Sequence, residues 1–375
     1  MIKDKKPYLI VPKLIEQPTW GGDYILKMKS WERLNDFIDK KIGQSYELFS
    51  GTKLLININN SEDKNFIGEL GSPDENTIFN HTNYVSGKDY YELKEVTSLY
   101  DRVQLIKVNQ SNGNSFQIHV KLGVEDKRWQ AKPETWYYLE DGLVTYGIKK
   151  GIDINEYKSA CKLIESEMKN ISQQVISKKI DLKKAKELSS QLVKKINPWQ
   201  YVNLHEIKKH FIVDPSAGGI HHSWEEDLEK YPLGNVLYEV QKDVMDPVST
   251  IRSFDRGKIK SDGSIREVHI DDYFKYLDTD IINNDAVKTM RLGMGRKVIK
   301  NNAYTMDVLE VDNELLENNN NSYSHLFVLD GKVAVEADDG EAIIGKGHSC
   351  FIPENVQKFK VKTIGGKSVI LKTYL

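Results

Sequence analysis

Three stretches of this chain carry side chains that hold divalent metals, spaced so that they share common faces. In Ser115-Phe116-Gln117-Ile118-His119 polar and apolar residues alternate. In a strand, Ser115, Gln117 and His119 therefore lie on one face while Phe116 and Ile118 take the other. In Lys132-Pro133-Glu134-Thr135-Trp136-Tyr137-Tyr138-Leu139 the same rule puts Lys132, Glu134 and Trp136 together, with Pro133 restricting that stretch to a strand start or an edge. A third stretch, Ala217-Gly218-Gly219-Ile220-His221-His222, presents an imidazole after a glycine pair that permits a tight turn. Singly, such residues are more often satisfied structural groups; it is the joint pattern that signals a site. Gln117, His119, Glu134 and His221 offer nitrogen and oxygen donors that suit Zn²⁺, with Mn²⁺, Fe²⁺, Co²⁺ or Ni²⁺ as substitutes. One carboxylate among the ligands leaves the ion about one unit of positive charge, which attracts a hydroxyl, carbonyl or enediolate oxygen. An oxygen-rich small molecule is the expected substrate.

Strands must position these groups. Before about residue 150, short β-type runs alternate with turn residues: Thr52 to Ile58, Leu105 to Val108, Ser115 to Val120, Trp136 to Leu139 and Val144 to Ile148. The period then changes. Tyr157, Cys161, Ile164, Met168, Ile171 and Val175 recur at helical spacing, and Leu182, Ala185, Leu188, Leu192 and Ile196 repeat the pattern, with Asp181 as N-cap and Asn197-Pro198 as the stop. This predicts a helical hairpin inserted over about 152–197, able to serve as a lid, an oligomer contact or a buttress. Strand character returns in Ile207 to Val213, Asn235 to Val240, Val248 to Phe254 and Ile265 to Ile270. From about residue 285 the chain reads as closely spaced strands between Asp330-Gly331, Asp339-Gly340 and Gly345-Lys346-Gly347, which suits a sandwich or jelly roll. The run Asn318 to Asn321 reads as an exposed hairpin tip.

Composition narrows the partners. The 375 residues suffice for two or three domains. Lys+Arg of 53 against Asp+Glu of 55 gives a net charge of -2, so there is no broad basic face for nucleic acid or an anionic membrane. The two cysteines, Cys161 and Cys350, are too far apart for a metal knuckle or a disulfide framework. A reducing cytoplasm is expected, without export signal or membrane anchor. The expected partner is a small molecule, bound by a monomer or a homodimer.

The chain resembles the type I phosphomannose isomerases (mannose-6-phosphate isomerases) of the cupin superfamily. The likeness is carried by Trp20-Gly21-Gly22, Ile42-Gly43-Gln44-Ser45-Tyr46-Glu47, Ser115 to His119, Lys132 to Tyr137, Gly218 to His221 and Glu239-Val240-Gln241. It continues through Thr250-Ile251-Arg252-Ser253-Phe254-Asp255-Arg256 and Asp262-Gly263-Ser264-Ile265-Arg266-Glu267-Val268-His269. The resemblance implies a mainly β fold of two cupin or jelly-roll domains: a catalytic domain over 1–284, interrupted by the helical hairpin, and a second over 285–375. It implies one zinc per chain on Gln117, His119, Glu134 and His221. It also implies interconversion of mannose 6-phosphate and fructose 6-phosphate through a cis-enediol, with Arg252 as the active-site guanidinium. Lys132, Glu239 and Asp246 are the candidates for the proton shuttle, and Ser115 and Lys132 for contacts to the sugar or its phosphate.

The sequence also departs from the family pattern. Val120-Lys121 follows His119 where the family usually has proline, and the stretch between Glu239 and Arg252 is about three residues longer than usual. His222 beside His221 leaves a choice of ligand, which the spacing from Gly218 settles for His221. Gln357 and Lys358 stand where a late histidine ligand is expected in the second jelly roll, so that half reads as metal-free, with His325 and His348 structural or on the surface. The rival readings are an isomerase of the same fold with a different sugar or sugar phosphate, a carbohydrate-binding regulator without turnover, and a cupin dioxygenase.

Overall fold

A computed structural model describes residues 4–17, 20–71, 81–82, 89–215 and 223–375. The fold is mainly β. Its described strands gather into one sheet of nine strands, one of eight, one of four and smaller pieces. In the nine-stranded sheet the neighbouring strands Glu134–Tyr138, Asn235–Lys242, Gln104–Ser111 and Ile42–Leu48 run antiparallel.

Alternation along those strands divides the sheet into two chemically different faces. Ile106, Val108, Tyr137, Tyr238 and Val240 enter the main hydrophobic core. The residues between them, Lys107, Asn109, Glu134, Trp136, Glu239 and Gln241, fall on the other face, in register across the sheet. The core side is closed by the eight-stranded sheet, which takes Tyr8–Val11, Lys53–Leu55 and Tyr90–Glu92 from the first hundred residues and five strands from the tail.

A buried ion pair ties the two sheets together. Lys29 Nζ lies 2.8 Å from Glu47 Oε1 and also donates to the Gly347 carbonyl. Ser45 Oγ donates to Glu47 Oε1 at 2.5 Å and Ser349 Oγ to Glu47 Oε2 at 2.9 Å. Strand Ile42–Leu48 thus turns Gln44 and Tyr46 to the polar face while Ser45 and Glu47 hold the tail.

The helical hairpin is present as Ile154–Ile176 and Leu182–Ile196. Asp153 accepts from the backbone N–H groups of Asn155 and Glu156, and Asp181 from that of Lys184, so each helix has a carboxylate N-cap. Asn197 ends the second helix in the left-handed region at φ 51, directly before Pro198. Tyr157, Cys161, Ile164, Met168 and Ile171 pack against Phe116, Ile118, Ile251 and Phe254. Those four residues are the apolar face of a two-stranded ribbon, Phe116–Ile118 with Ile251–Phe254, so the hairpin buttresses the strands that carry Gln117 and Arg252.

Several local expectations fail. Ile265 to Ile270 is not a strand: the segment crosses the helical layer, where Ile265 and Val268 pack half-buried, and helix Ile270–Tyr276 begins with Asp271 and Asp272 in its first turn. Ile207 to Val213 breaks into two strands because His210 turns the chain at φ 68. The run Asn318 to Asn321 does form an exposed turn between two strands, except that Asn319 is buried, donating to the Pro353 carbonyl at 2.9 Å and accepting from Ser324 Oγ.

Removing one partner of a buried pair strands the other charge, at a cost of about 3–5 kcal/mol, whereas removing both is far milder. Lys29→Met is therefore expected to lower the unfolding free energy in urea by about that amount, and Lys29→Met with Glu47→Leu to recover most of it. Additive losses in the double variant would refute the coupling.

Candidate active site

Of the residues expected on shared strand faces, Gln117, Glu134 and Trp136 lie within described strands, while Ser115, His119 and Lys132 flank the strand ends. Ser115 Oγ donates to Gln117 Oε1 at 3.2 Å, and Gln117 stands opposite Arg252 in the ribbon, on the face away from the helical hairpin. His119 follows at the ribbon's end. Glu134 begins its strand in spite of Pro133, opposite Gln241, while Trp136 stands opposite Glu239. His119, Lys132, Glu134, Glu239 and Arg252 are all buried, as is Ser115. His221 and His222 lie outside the described residues.

The geometry at His119 is the most informative. Its Nδ1 lies 2.5 Å from the Ser249 carbonyl oxygen, which can only accept, so Nδ1 carries the proton. Burial, followed by the neighbouring Lys132 ammonium, holds His119 below the usual imidazole range, so the ring is neutral. Nε2 is then an acceptor, and it faces another acceptor, Glu134 Oε2, at 3.1 Å. Two lone-pair donors this close repel unless a proton or a metal ion lies between them, and such a pair is a fitting place for a metal. A backbone carbonyl fixing one ring nitrogen while the other is presented to a ligand site is the usual outer support of a metal-binding histidine.

Glu134 is likewise oriented from outside. Trp136 Nε1 donates to its Oε1 at 2.5 Å, leaving Oε2 for His119 and for Lys132 Nζ, 3.1 Å away. Lys132 also donates to Gln241 Oε1 at 3.2 Å. Among the described residues no group of three His, Cys, Asp or Glu side chains forms a ligand set. His119 and Glu134 make two, and Gln117 adds an amide oxygen on the same face of its strand. These three donors and their supports fit a divalent ion.

Two further ion pairs surround this pair, one on the polar sheet face and one from the two-stranded ribbon. Lys107 Nζ lies 3.2 Å from Glu239 Oε1, and Asn109 Nδ2 donates to Glu239 Oε2 at 2.7 Å. Gln44 Nε2 donates to Asn109 Oδ1 at 2.8 Å, extending the network across four strands. Burial and the adjacent Glu134 carboxylate push Glu239 up to about 7. Arg252 Nη2 pairs with Asp246, which also accepts from Thr250 Oγ1. The Arg252 and Lys132 cations hold the exposed Asp246 carboxyl well below the usual carboxylate range. The Arg252 Nε is buried and has no hydrogen-bond partner among the described residues.

The structure thus gathers Lys132, Glu134, His119 and Glu239 at one point and sets Arg252 with Asp246 beside Gln117. The sequence reading missed Lys107, Asn109 and Gln241. Their signal was available: in Gln104–Ser111 and Asn235–Lys242, polar residues recur at every second place within runs that are otherwise apolar.

Comparisons with known proteins agree with this architecture. Residues 296–371 match the family model for the mannose-6-phosphate isomerase cupin domain. A search of curated proteins found no match. Among solved structures, a putative mannosephosphate isomerase from Archaeoglobus fulgidus is 14% identical, with 100% of this chain and 99% of that one covered at a TM-score of 0.61. The mannose 6-phosphate isomerase of Bacillus subtilis is 13% identical, with 98% and 99% covered and a TM-score of 0.59. A zinc-bound mannose 6-phosphate isomerase is 11% identical at the same coverage and TM-score. At such identities the likeness shows the fold. Residues 296–371 are thus similar to the cupin domain of mannose-6-phosphate isomerases, and the chain shares the fold of such isomerases along its whole length.

Proposed function

We propose that the protein is a metal-dependent aldose–ketose isomerase that interconverts mannose 6-phosphate and fructose 6-phosphate. The observation that carries this reading is the pair of facing acceptors, His119 Nε2 and Glu134 Oε2, set 3.1 Å apart beside the buried Glu239 carboxyl. A zinc ion on Gln117, His119, Glu134 and His221 would supply Lewis-acid polarisation of the sugar oxygens.

The remaining chemistry belongs to this chain's own groups. Isomerisation takes the proton from C2 of the open-chain aldose and returns it to C1, while the hydroxyl proton moves between the cis oxygens of the enediol. Of the three shuttle candidates, Glu239 has the charge balance for it, since a carboxyl that titrates near neutrality both accepts and returns a proton. Asp246 is tied to Arg252 and Thr250 and stays ionised; its role is to orient the guanidinium. Arg252, whose Nε has no hydrogen-bond partner among the described residues, stabilises the enediolate oxygen as charge develops. Lys132 and Ser115 contact the sugar phosphate, and the buried Trp136 and Trp224 close one end of the polar face against water.

The direct test is a coupled assay for fructose 6-phosphate formation from mannose 6-phosphate, with and without a chelator and with zinc restored. Activity lost to the chelator and recovered with zinc is expected; turnover indifferent to the chelator would contradict the reading. Binding without turnover would favour a regulator, and turnover only of another sugar in a substrate panel would favour a sibling isomerase.

Arg252→Met is expected to lower kcat by about 10²–10³-fold while changing KM little, because its free edge serves the developing charge rather than the ground state. An equal rise in KM with kcat unchanged would make it a binding residue instead.

Glu239 also gives the metal-free protein a pH signature. Its folded-state value is raised, from an ordinary 4.5 to about 7. The stability associated with the protonated carboxyl is complete below about pH 4.5 and is lost as pH rises through about 7. In urea denaturation, Glu239→Gln is expected to lie closest to the wild type near pH 5 and to gain on it near pH 8. Parallel pH profiles would show that Glu239 is not raised.

A further inference from the structure

We propose that Lys132 couples the metal to the substrate's phosphate. Its ammonium neutralises Glu134 in the metal-free protein and is handed to the substrate's anionic end when a divalent cation takes that place. This rests on the sugar-phosphate reading given above and adds a binding linkage to it.

The argument is a charge count on the described residues around His119. Three cations face three carboxylates, pair by pair: Lys132 with Glu134 at 3.1 Å, Lys107 with Glu239 at 3.2 Å, and Arg252 with Asp246. With Glu239 ionised the set is neutral and with Glu239 protonated it carries one positive charge, so either way it falls short of a phosphate monoester, which carries about −1.5 to −2 at pH 7. A divalent cation raises the total by two units and matches that anion. The sheet therefore presents a site whose affinity for a sugar phosphate depends on its metal.

Position singles out Lys132 as the cation released. Only its carboxylate is also a metal donor: Glu134 Oε2 has His119 Nε2 and Lys132 Nζ each at 3.1 Å. Glu239 and Asp246 lie outside the donor set, and Lys107 and Arg252 keep their partners when a metal binds. Gln241 Oε1, 3.2 Å from Lys132 Nζ, is a neutral partner that holds the ammonium nearby after Glu134 is given up. Lys132 and the metal compete for one oxygen, and so Lys132 opposes metal binding until an anion takes it up. Because linkage is reciprocal, the phosphate tightens the metal by the same factor that the metal tightens the phosphate.

The test uses calorimetry with zinc, with sorbitol 6-phosphate as a sugar phosphate that cannot isomerise, and with sorbitol as its neutral counterpart. In the wild type, sorbitol 6-phosphate is expected to tighten zinc binding by about tenfold or more, and sorbitol to have much less effect. Lys132→Met is expected to bind zinc at least as tightly as the wild type, with the phosphate coupling reduced to within about twofold. Weaker zinc binding by folded Lys132→Met would overturn the proposal, since Lys132 would then be building the site rather than competing in it. The wild-type measurement stands independently of the variant: zinc and sorbitol 6-phosphate both binding without coupling would overturn the proposal and leave the isomerase reading intact. A wild type that binds no zinc would fail the metal reading itself.

Discussion

Two acceptor atoms held face to face in a buried place are the constraint on which the rest of the site depends. A neutral imidazole nitrogen and a carboxylate oxygen 3.1 Å apart repel unless a cation lies with them. The fold fixes both from behind, through the Ser249 carbonyl on the ring and the Trp136 indole on the carboxylate. Neither group can turn away to relieve the contact. The protein keeps a cation-shaped demand in its interior, which Lys132 meets in part.

A sheet with two unlike faces makes this possible. Charged residues placed in strands buried on both sides are costly unless each finds a partner. Here the partners come from adjacent strands in register, so Lys107 meets Glu239 and Lys132 reaches Glu134 and Gln241 without distorting the ladder. The opposite face is apolar and locked to the tail through Lys29, Glu47 and Ser349. The helical hairpin backs the ribbon of Gln117 and Arg252 with Phe116, Ile118, Ile251 and Phe254. Rigidity on the far side of each element holds the polar groups at fixed separations.

Much of this was legible in the sequence. Period-two alternation around Gln117 and Glu134 gave the shared faces, and helical spacing with Asp181 and Asn197-Pro198 gave the second helix nearly to the residue. What was not legible depended on neighbours distant in the chain. Lys107 looks like an ordinary strand lysine until Glu239, far along the sequence, is paired beside it. The ranking of Glu239 over Asp246 rests on which cation each one meets, and spacing alone does not reveal that. Ile265 to Ile270 has β-type composition but crosses a helical layer, where tertiary packing outweighs local propensity. Within the exposed turn of Asn318 to Asn321, nothing in the sequence singles out Asn319 as the residue turned inward to the Pro353 carbonyl.

The central claim is that His119 and Glu134 share one divalent ion. Crystals grown with zinc and measured at its absorption edge test this most directly. The expected result is a single strong anomalous peak bonded to His119 Nε2 and a Glu134 oxygen at about 2.0–2.2 Å, with Gln117 beside it. A peak elsewhere, or no peak with the Lys132 ammonium still seated on Glu134, would contradict the account.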